Sequence, residues 1–374
     1  MKKIALIIMG LGCFSAANAV DINADKASHN NLRPVVFENG SDLIKLSANH
    51  LKGVGMFNVK EGSCKSLRKT LRQEVVCVTS SSDEGTKITI PYEGSYAVKS
   101  DKPDALDVAK FVYEKAINTD ENPYDTKLSY ISKTKDGFYR LYTSDYRGNN
   151  ETLLLESDKP LLSPTWSPNG HYLAYVSYET IRTSIFVHDV RTGKRVKVYE
   201  NRGLNGYPSF MDDNNLLLSI SNERVNSDIY QYNLLTKKLL NVSNTKKPEV
   251  FPKQYDAGYV FVRMHKDIPY LYKMVSGRTH RIYQASHNAP DISENGDVLV
   301  SVSGGKVFIN RDGEIIKVNA GGSVESPTVS NDGEIAYVSR EINGRSIITA
   351  INRAGKKIFN LSKKNQDLIQ ISAY

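Results

Sequence analysis

Apolar and polar positions alternate most clearly over 161–179, L-L-S-P-T-W-S-P-N-G-H-Y-L-A-Y-V-S-Y-E. A period of two places successive side chains on opposite faces of a strand. The segment predicts a short strand at 163–166, a tight turn at 167–170 and a longer strand at 172–178. On that second strand Leu173, Tyr175 and Ser177 share one face, and Ala174, Val176 and Tyr178 the other. Asn169-Gly170 favours positive φ at both central turn residues, which suits the twist of a hairpin.

The same pattern returns four times, as G-Y-P-S-F-M-D-D-N-N-L-L-L-S-I-S from Gly206, E-V-F-P-K-Q-Y-D-A-G-Y-V-F-V-R from Glu249, N-A-P-D-I-S-E-N-G-D-V-L-V-S-V from Asn288 and E-S-P-T-V-S-N-D-G-E-I-A-Y-V-S from Glu325. Pro164, Pro208, Pro252, Pro290 and Pro327 mark the repeat, at spacings of 44, 44, 38 and 37 residues. A period near 40 with four strands per repeat indicates a β-propeller. Three more strands, at 127–132, 139–145 and 152–155, precede the first repeat and lack an innermost partner. The alternating stretch 368–374 supplies it. The pattern therefore predicts a six-bladed β-propeller over 126–374, closed by the C-terminal strand, with no sheet edge open at the seam. In the Pro252 repeat Asp256-Ala257-Gly258 replaces the Asn-Gly or Asp-Gly turn and predicts a longer first hairpin.

Upstream the period changes. Strands are expected at 33–37, 57–59, 75–79 and 87–90, with 93–95 turning into 96–98. Residues 41–51 space Leu43, Ile44, Ser47, His50 and Leu51 as a helix does, with Ser41 as N-cap and Gly53 and Gly55 ending it. A second helix is expected over 100–117, capped by Ser100 or Asp101, with Pro103 in its first turn and Ala105, Ala109, Val112, Tyr113 and Ala116 as its apolar stripe. These elements make a small α/β domain over 20–118. It begins with a polar, aperiodic arm at 20–32 and is followed by a polar linker at 119–125.

Lys2 and Lys3, the apolar run 4–14 and Ala17-Asn18-Ala19 form a secretory signal, so residues 1–19 are expected to be removed. The alternative, a lipidated Cys13, would have Gly10-Leu11-Gly12 as a poor lipobox. In the oxidising compartment that such a signal implies, Cys64 and Cys77 are expected to pair. The chain carries 49 Lys and Arg against 41 Asp and Glu, a surplus that outlasts the loss of Lys2 and Lys3. It fits either a solvated surface or attraction to an anionic partner such as lipid head groups or an acidic protein. No basic run interleaved with aromatics points to nucleic acid.

Catalytic and metal motifs are missing from the sequence: there is no G-x-S-x-G, H-E-x-x-H, P-loop, C-x-x-C or EF-hand loop, and no histidine pair at ligand spacing. No cofactor is expected. A propeller offers instead a rigid disc with a central channel. The residues before the prolines, Ser163, Tyr207, Phe251, Ala289 and Ser326, ring one mouth, with Val250 beside them. Large apolar side chains there either pack under neighbouring loops or form a binding hot spot.

Taken with the signal and the small α/β domain, S-P-T-W-S-P-N-G-H-Y-L-A-Y-V-S-Y-E resembles the TolB family of the Tol–Pal system. L-S-Y-I-S-K at Leu128, L-Y-T-S-D-Y-R-G-N-N at Leu141, S-A-N-H-L-K-G-V-G-M-F-N-V at Ser47 and L-R-P-V-V-F at Leu32 are similar to that family as well. The resemblance implies a periplasmic binding protein and not an enzyme, with a role in outer-membrane invagination at division and in envelope integrity. It implies that the arm, at Val20, Asp21, Ile22 and Asn23, contacts TolA. It also implies that the propeller mouth, near Leu204, Tyr207, Val250, Phe251 and Ser326, holds the peptidoglycan-associated lipoprotein Pal. A monomer is expected. This chain departs from the family in a shorter small domain, in Leu106 where the family has histidine, and in Leu204, Tyr207 and Val250 where polar or small residues are usual. Those changes imply a co-diverged partner.

Two other classes remain open at this point. A periplasmic propeller enzyme, such as a lyase or glycosidase, predicts converging carboxylates at the mouth, for which the repeat offers Glu325 and Glu249. A ligand- or polysaccharide-binding propeller predicts aromatic platforms, for which it offers Tyr207 and Phe251.

Overall fold

The computed structural model describes residues 32–38, 41–71, 75–81, 85–90, 94–98, 104–221 and 226–374. The expected leader 1–19, with Cys13, and the expected arm up to residue 31 lie outside them.

The small α/β unit is built on a five-stranded sheet. Its strands are β1 (Arg33–Phe37), β2 (Phe57–Glu61), β3 (Val76–Ser81), β4 (Gly85–Ile90) and β5 (Gly94–Ala97), in the order β2-β1-β3-β4-β5. β1 runs parallel to β2 and β3, and the other pairs are antiparallel. Helices α1 (Asp42–Val54) and α3 (Ala105–Ile117) cover one face. There Val35, Phe37, Val76, Val78 and Ile88 meet Ile44, Ala48, Leu51, Val108, Val112 and Tyr113. Each Val, Leu, Ile or Phe among them, fully buried, contributes about 1.5–3 kcal/mol. The other face carries a helix the sequence pattern did not announce, α2 (Cys64–Leu71). Its Leu67 packs on Val36, Val75 and Cys77, and a disulfide joins Cys64 to Cys77 with Cα atoms 6.0 Å apart.

Both expected helix boundaries shift. Ser41 caps α1, accepting from Ile44 N at 3.4 Å, but Gly53 lies inside the helix and Gly55 alone ends it, at φ 80°. α3 starts at Ala105, later than expected. Asp104 is its N-cap, accepting from Leu106 N (2.8 Å) and Asp107 N (2.9 Å), while Asp107 accepts from Asp104 N (3.0 Å). This reciprocal box satisfies the first free N–H groups of the helix. Ser100, Asp101 and Pro103, the expected cap and first turn, lie outside the described residues.

Six four-stranded sheets follow, five in chain order. Their innermost strands are Leu161–Trp166 (blade 1), Asn205–Asp212 (blade 2), Glu249–Tyr255 (blade 3), Asn288–Ile292 (blade 4) and Ser323–Val329 (blade 5). Blade 6 is composite. Its inner strand Gln366–Ala373 pairs antiparallel with Lys127–Thr134, which leads on to Tyr139–Asp145 and Thr152–Ser157. Ser132 Oγ donates to Gln366 Oε1 at 2.7 Å, across 234 residues of chain.

The hairpin turns are not the ones Asn-Gly first implies. Of the two central residues only Gly170 takes positive φ (65°), and its N–H donates to Ser167 O at 2.9 Å. Ser167 Oγ accepts from Tyr172 N (3.0 Å) and pairs with Asn169 Oδ1 (2.7 Å). Ser293 with Asn295, and Ser330 with Asp332, repeat this arrangement. A local side-chain turn thus replaces a second left-handed residue. In blade 3 the first hairpin is shorter than expected: Tyr255 pairs with Gly258, which leaves a two-residue loop.

The small unit and the propeller share one apolar core, which runs from α1 and α3 into blades 5 and 6. The stretch 119–125 takes part in it. Pro123–Asp125 form a 3-10 turn capped by Asn122, and Tyr124 is buried edge-on between Tyr113 (5.9 Å) and Tyr146 (5.5 Å). Asn352 Nδ2 donates to Gly53 O at 3.2 Å, and His50 Nδ1 meets the Tyr146 hydroxyl. A Cβ on Gly53 would lie 3.1 Å from Ile358 Cγ2, so the glycine brings α1 close against blade 5.

Candidate functional site

Each of the five inner strands that carries a channel proline is bulged there. The residue before the proline takes positive φ in every case: Ser163 52°, Tyr207 51°, Phe251 56°, Ala289 44° and Ser326 47°. Neither a non-glycine nor a pre-proline residue favours that conformation. The bulge re-aims the side chain. In addition, proline presents no N–H along the free inner edge, so another strand cannot readily add there.

The bulges open onto a cavity of about 450 Å³ at one mouth. Leu204, Tyr207, Phe251 and Ser326 line it, along with Glu325 and Lys253. Val250, expected beside them, packs instead into the cluster of Val260, Val262, Leu271 and Leu299. Tyr207 and Phe251 come from neighbouring blades and touch, with ring centroids 3.9 Å apart at 40°. Burial, and then the neighbouring Tyr178, push the Tyr207 phenol above its usual pKa, so it presents a neutral hydroxyl. Ile371 N donates to Ser326 Oγ at 3.4 Å, and Ser163 N donates to Gln370 Oε1, tying blade 6 to its neighbours at the rim.

The two acids offered for a catalytic pair do not converge. Glu325 stands exposed on the cavity lining. Glu249 is fully buried and held by Arg263 Nε at 2.6 Å. The bulge at Phe251-Pro252 breaks the alternation of the strand, so Phe251 and Lys253 line the cavity and Glu249 does not. Among the described residues no group of three or more His, Cys, Asp or Glu is placed to hold a metal ion.

At the other mouth the channel changes character. Cavities of about 390 and 490 Å³ there are lined by Asp212, Asp213, Asp256, Glu294, Asp120 and Asp332. Lys253 is the residue shared by the linings of the first and second cavities. It pairs with Asp291 at 3.4 Å, whose Oδ2 accepts from Thr328 Oγ1 (2.5 Å) and Val329 N (3.1 Å). An ion pair between neighbouring blades therefore marks the waist.

The family profile of the TolB beta propeller domain matches residues 113–372, from within α3 to the closing strand. The chain belongs to the TolB β-propeller family. The Tol-Pal system protein TolB of Francisella tularensis subsp. mediasiatica (strain FSC147) is 26% identical over 295 residues, covering 71% of this chain and 66% of its own length. That of Albidiferax ferrireducens (strain ATCC BAA-621 / DSM 15236 / T118) is 40% identical over 98 residues, 26% of this chain and 23% of its own. The crystal structure of TolB from Acinetobacter baumannii superposes with a TM-score of 0.73 at 20% identity, over 91% of this chain and 96% of that one, and so shares the fold. The match to the Francisella TolB thus spans just under two thirds of that protein.

Proposed function

We propose that this TolB-family chain is a protein-binding scaffold of the Tol–Pal system, working in the periplasm without catalysing a reaction. Its partner at the first mouth is a peptidoglycan-associated lipoprotein, Pal, and its arm, at Val20, Asp21, Ile22 and Asn23, engages TolA. Through these contacts it supports outer-membrane invagination at division and envelope integrity, acting as a monomer. The observation that carries this reading is the aromatic pair Tyr207–Phe251, projected by two strained bulges into a concave cavity beside Leu204. Aromatic anchors at the centre of a concave patch are what a protein interface concentrates its energy in. The leader 1–19 and a disulfide between Cys64 and Cys77 suit an oxidising compartment. At the first mouth the enzyme reading has Glu325 as the one carboxylate among the described residues of the lining, whereas glycoside cleavage takes a pair of carboxylates.

The test is a pull-down from the organism's own envelope fraction with residues 20–374, set against a folded Tyr207→Ala, Phe251→Ala variant. Recovery of a Pal-like lipoprotein by the parent and its loss in the variant is the expected result. A parent that recovers no lipoprotein would overturn the scaffold reading.

A further inference from the structure

Away from both mouths, the outer end of the seam between blades 1 and 2 is apolar and exposed. By register, Val196 on the outer strand of blade 1 (Arg195–Glu200) shares the face of Val187 and Ala174, which packs against blade 2. Leu239 on the outer strand of blade 2 (Leu239–Asn241) shares the face of Tyr232 and Leu216, which packs back against blade 1. The two residues thus flank the seam from opposite walls. Deeper in, the seam is closed by the Tyr232 hydroxyl, which donates to Val198 O at 2.7 Å. At the rim Val196 is 58% exposed, Leu239 40%, and Leu235, in the turn leading to Leu239, 73%. With Leu240 these are four of the eleven large apolar side chains exposed among the described residues, so one sector of the rim concentrates what the rest of the surface scatters. Exposed Lys194, Lys237 and Lys238 stand on the two turns that end the seam. Both turns lie on the face of the second mouth, since Val190 N donates to His171 O (3.0 Å) and Leu234 N to Asn214 O (2.8 Å) at the inner hairpins. Other charges beside them are matched: Arg191 with Asp189 at 3.1 Å, Arg195 with Glu179 at 2.5 Å and Lys197 with Glu200 at 2.8 Å. Asp212 and Asp213 of blade 2 stand towards the axis, on the lining of the second cavity. The three lysines leave this end of the seam positive.

We infer that this rim sector docks on an anionic phospholipid surface. The inference is independent of the partner at the first mouth. Exposed aliphatic side chains crowned by lysines match a bilayer of negative head groups in both chemistry and charge. Leu235 projects from a turn and Val196 and Leu239 from outer strands, so the patch is raised. A fluid interface accepts projecting aliphatic side chains between its head groups, whereas a protein would need a recess shaped to receive them. The lysine stems lie along the apolar surface and carry their ammonium groups to the phosphates. Binding of this kind grows with the apolar area inserted and with attraction to anionic lipid. Few side chains take part, so the contact is weak and reversible. It sets the disc on its rim and keeps both mouths clear of the bilayer. The chain's surplus of Lys and Arg adds a longer-range pull towards the same surface.

The test is flotation of residues 20–374 with vesicles of equal parts phosphatidylglycerol and phosphatidylethanolamine, set against phosphatidylcholine vesicles, at low and high salt. The parent is expected to float with the anionic vesicles at low salt, to leave them at high salt and to ignore phosphatidylcholine. Lys194→Gln, Lys237→Gln, Lys238→Gln is expected to lower partitioning on the order of tenfold. A control with the same change in net charge outside this sector, Lys135→Gln, Lys266→Gln, Lys364→Gln, is expected to stay within about twofold. Leu235→Ser, Leu239→Ser is expected to lower partitioning severalfold while leaving its salt dependence in place. All the substituted side chains are exposed, so the fold is kept. A parent that stays off anionic vesicles at low salt, or that binds phosphatidylcholine equally, overturns the inference. An equal fall in the two lysine variants overturns it as well, by assigning the binding to net charge and not to the seam. A parent that ignores vesicles but dimerises in sedimentation equilibrium, and loses this in Leu235→Ser, Leu239→Ser, would replace the bilayer with a second copy of the chain. The lipoprotein pull-down reads the first mouth, so either reading can fail while the other stands.

Discussion

Ala289 isolates the cost of the channel bulge, since it shares the left-handed, pre-proline conformation of Tyr207 and Phe251 without their aromatic contact. In an ordinary strand Ala→Gly loses about 0.5–1 kcal/mol. At φ 44° the left-handed penalty of about 1–2 kcal/mol is relieved, so Ala289→Gly is expected to be neutral or to stabilise by up to about 1 kcal/mol. The urea midpoint decides it, and a loss of the ordinary strand size would remove the strain argument. A second residue-scale prediction concerns His287. It is buried, stacked on Tyr283 (4.2 Å) and edge-on to Phe308 (4.6 Å), with Nδ1 3.0 Å from Ser301 Oγ. Burial pushes its pKa down to about 4. The fold therefore favours the neutral ring, and that contribution is present above the unfolded value near 6.5 and is lost as pH falls towards 4. His287→Phe should shrink the stability difference between pH 7.5 and 4.5 by on the order of 2–3 kcal/mol, read from urea unfolding at both pH values. An unchanged difference would place the acid sensitivity elsewhere. The repeat located the bulge residues in the sequence because proline marks them. It misplaced Glu249 and Val250, because a bulge moves side chains between faces and no strict alternation survives it.

The blades were legible because each inner hairpin combines an alternating strand with a Ser-x-Asn/Asp-Gly turn or its variant, a signal local enough to read from sequence. α2 was not, because C-K-S-L-R-K-T-L offers Leu67 and Leu71 as its apolar positions and owes its place to the disulfide and the sheet face it covers. Removing that staple should be costly. By the loop-entropy relation a crosslink spanning 13 residues contributes about 3 kcal/mol, so a Cys64→Ala, Cys77→Ala variant should lose roughly that much. Unfolding of the oxidised parent against the double variant measures it, with the reduced parent as a check, and equal stability of the double variant and the oxidised parent would show the bridge to be inert. Ser100 and Asp101 were the caps expected for α3 from their chemistry, whereas the structure has the cap at Asp104, which closes a reciprocal box with Asp107. Asp104→Ala should cost about 1 kcal/mol.

At the scale of the molecule, composition and period divided the chain into two parts, whereas Tyr113, Tyr124, Tyr146 and Tyr337 belong to one continuous core. Short, polar T-D-E-N-P reads as a linker, and the burial of the tyrosine after it depends on partners far away in sequence. A single cooperative calorimetric transition is therefore expected for the small unit and propeller together. Two well-separated transitions would show that the shared core does not couple them. Another consequence follows from the closing strand. Ser132 waits for Gln366 through 234 residues, so a chain folding from its N-terminal end completes five blades while the sixth still lacks its inner strand. Until Gln366–Ala373 arrives, the edge of Lys127–Thr134 is a nascent-chain hazard, open to the strands of other copies. Yield in the cell should thus be limited by how long that edge stays unescorted, which makes it the natural place for a chaperone to act.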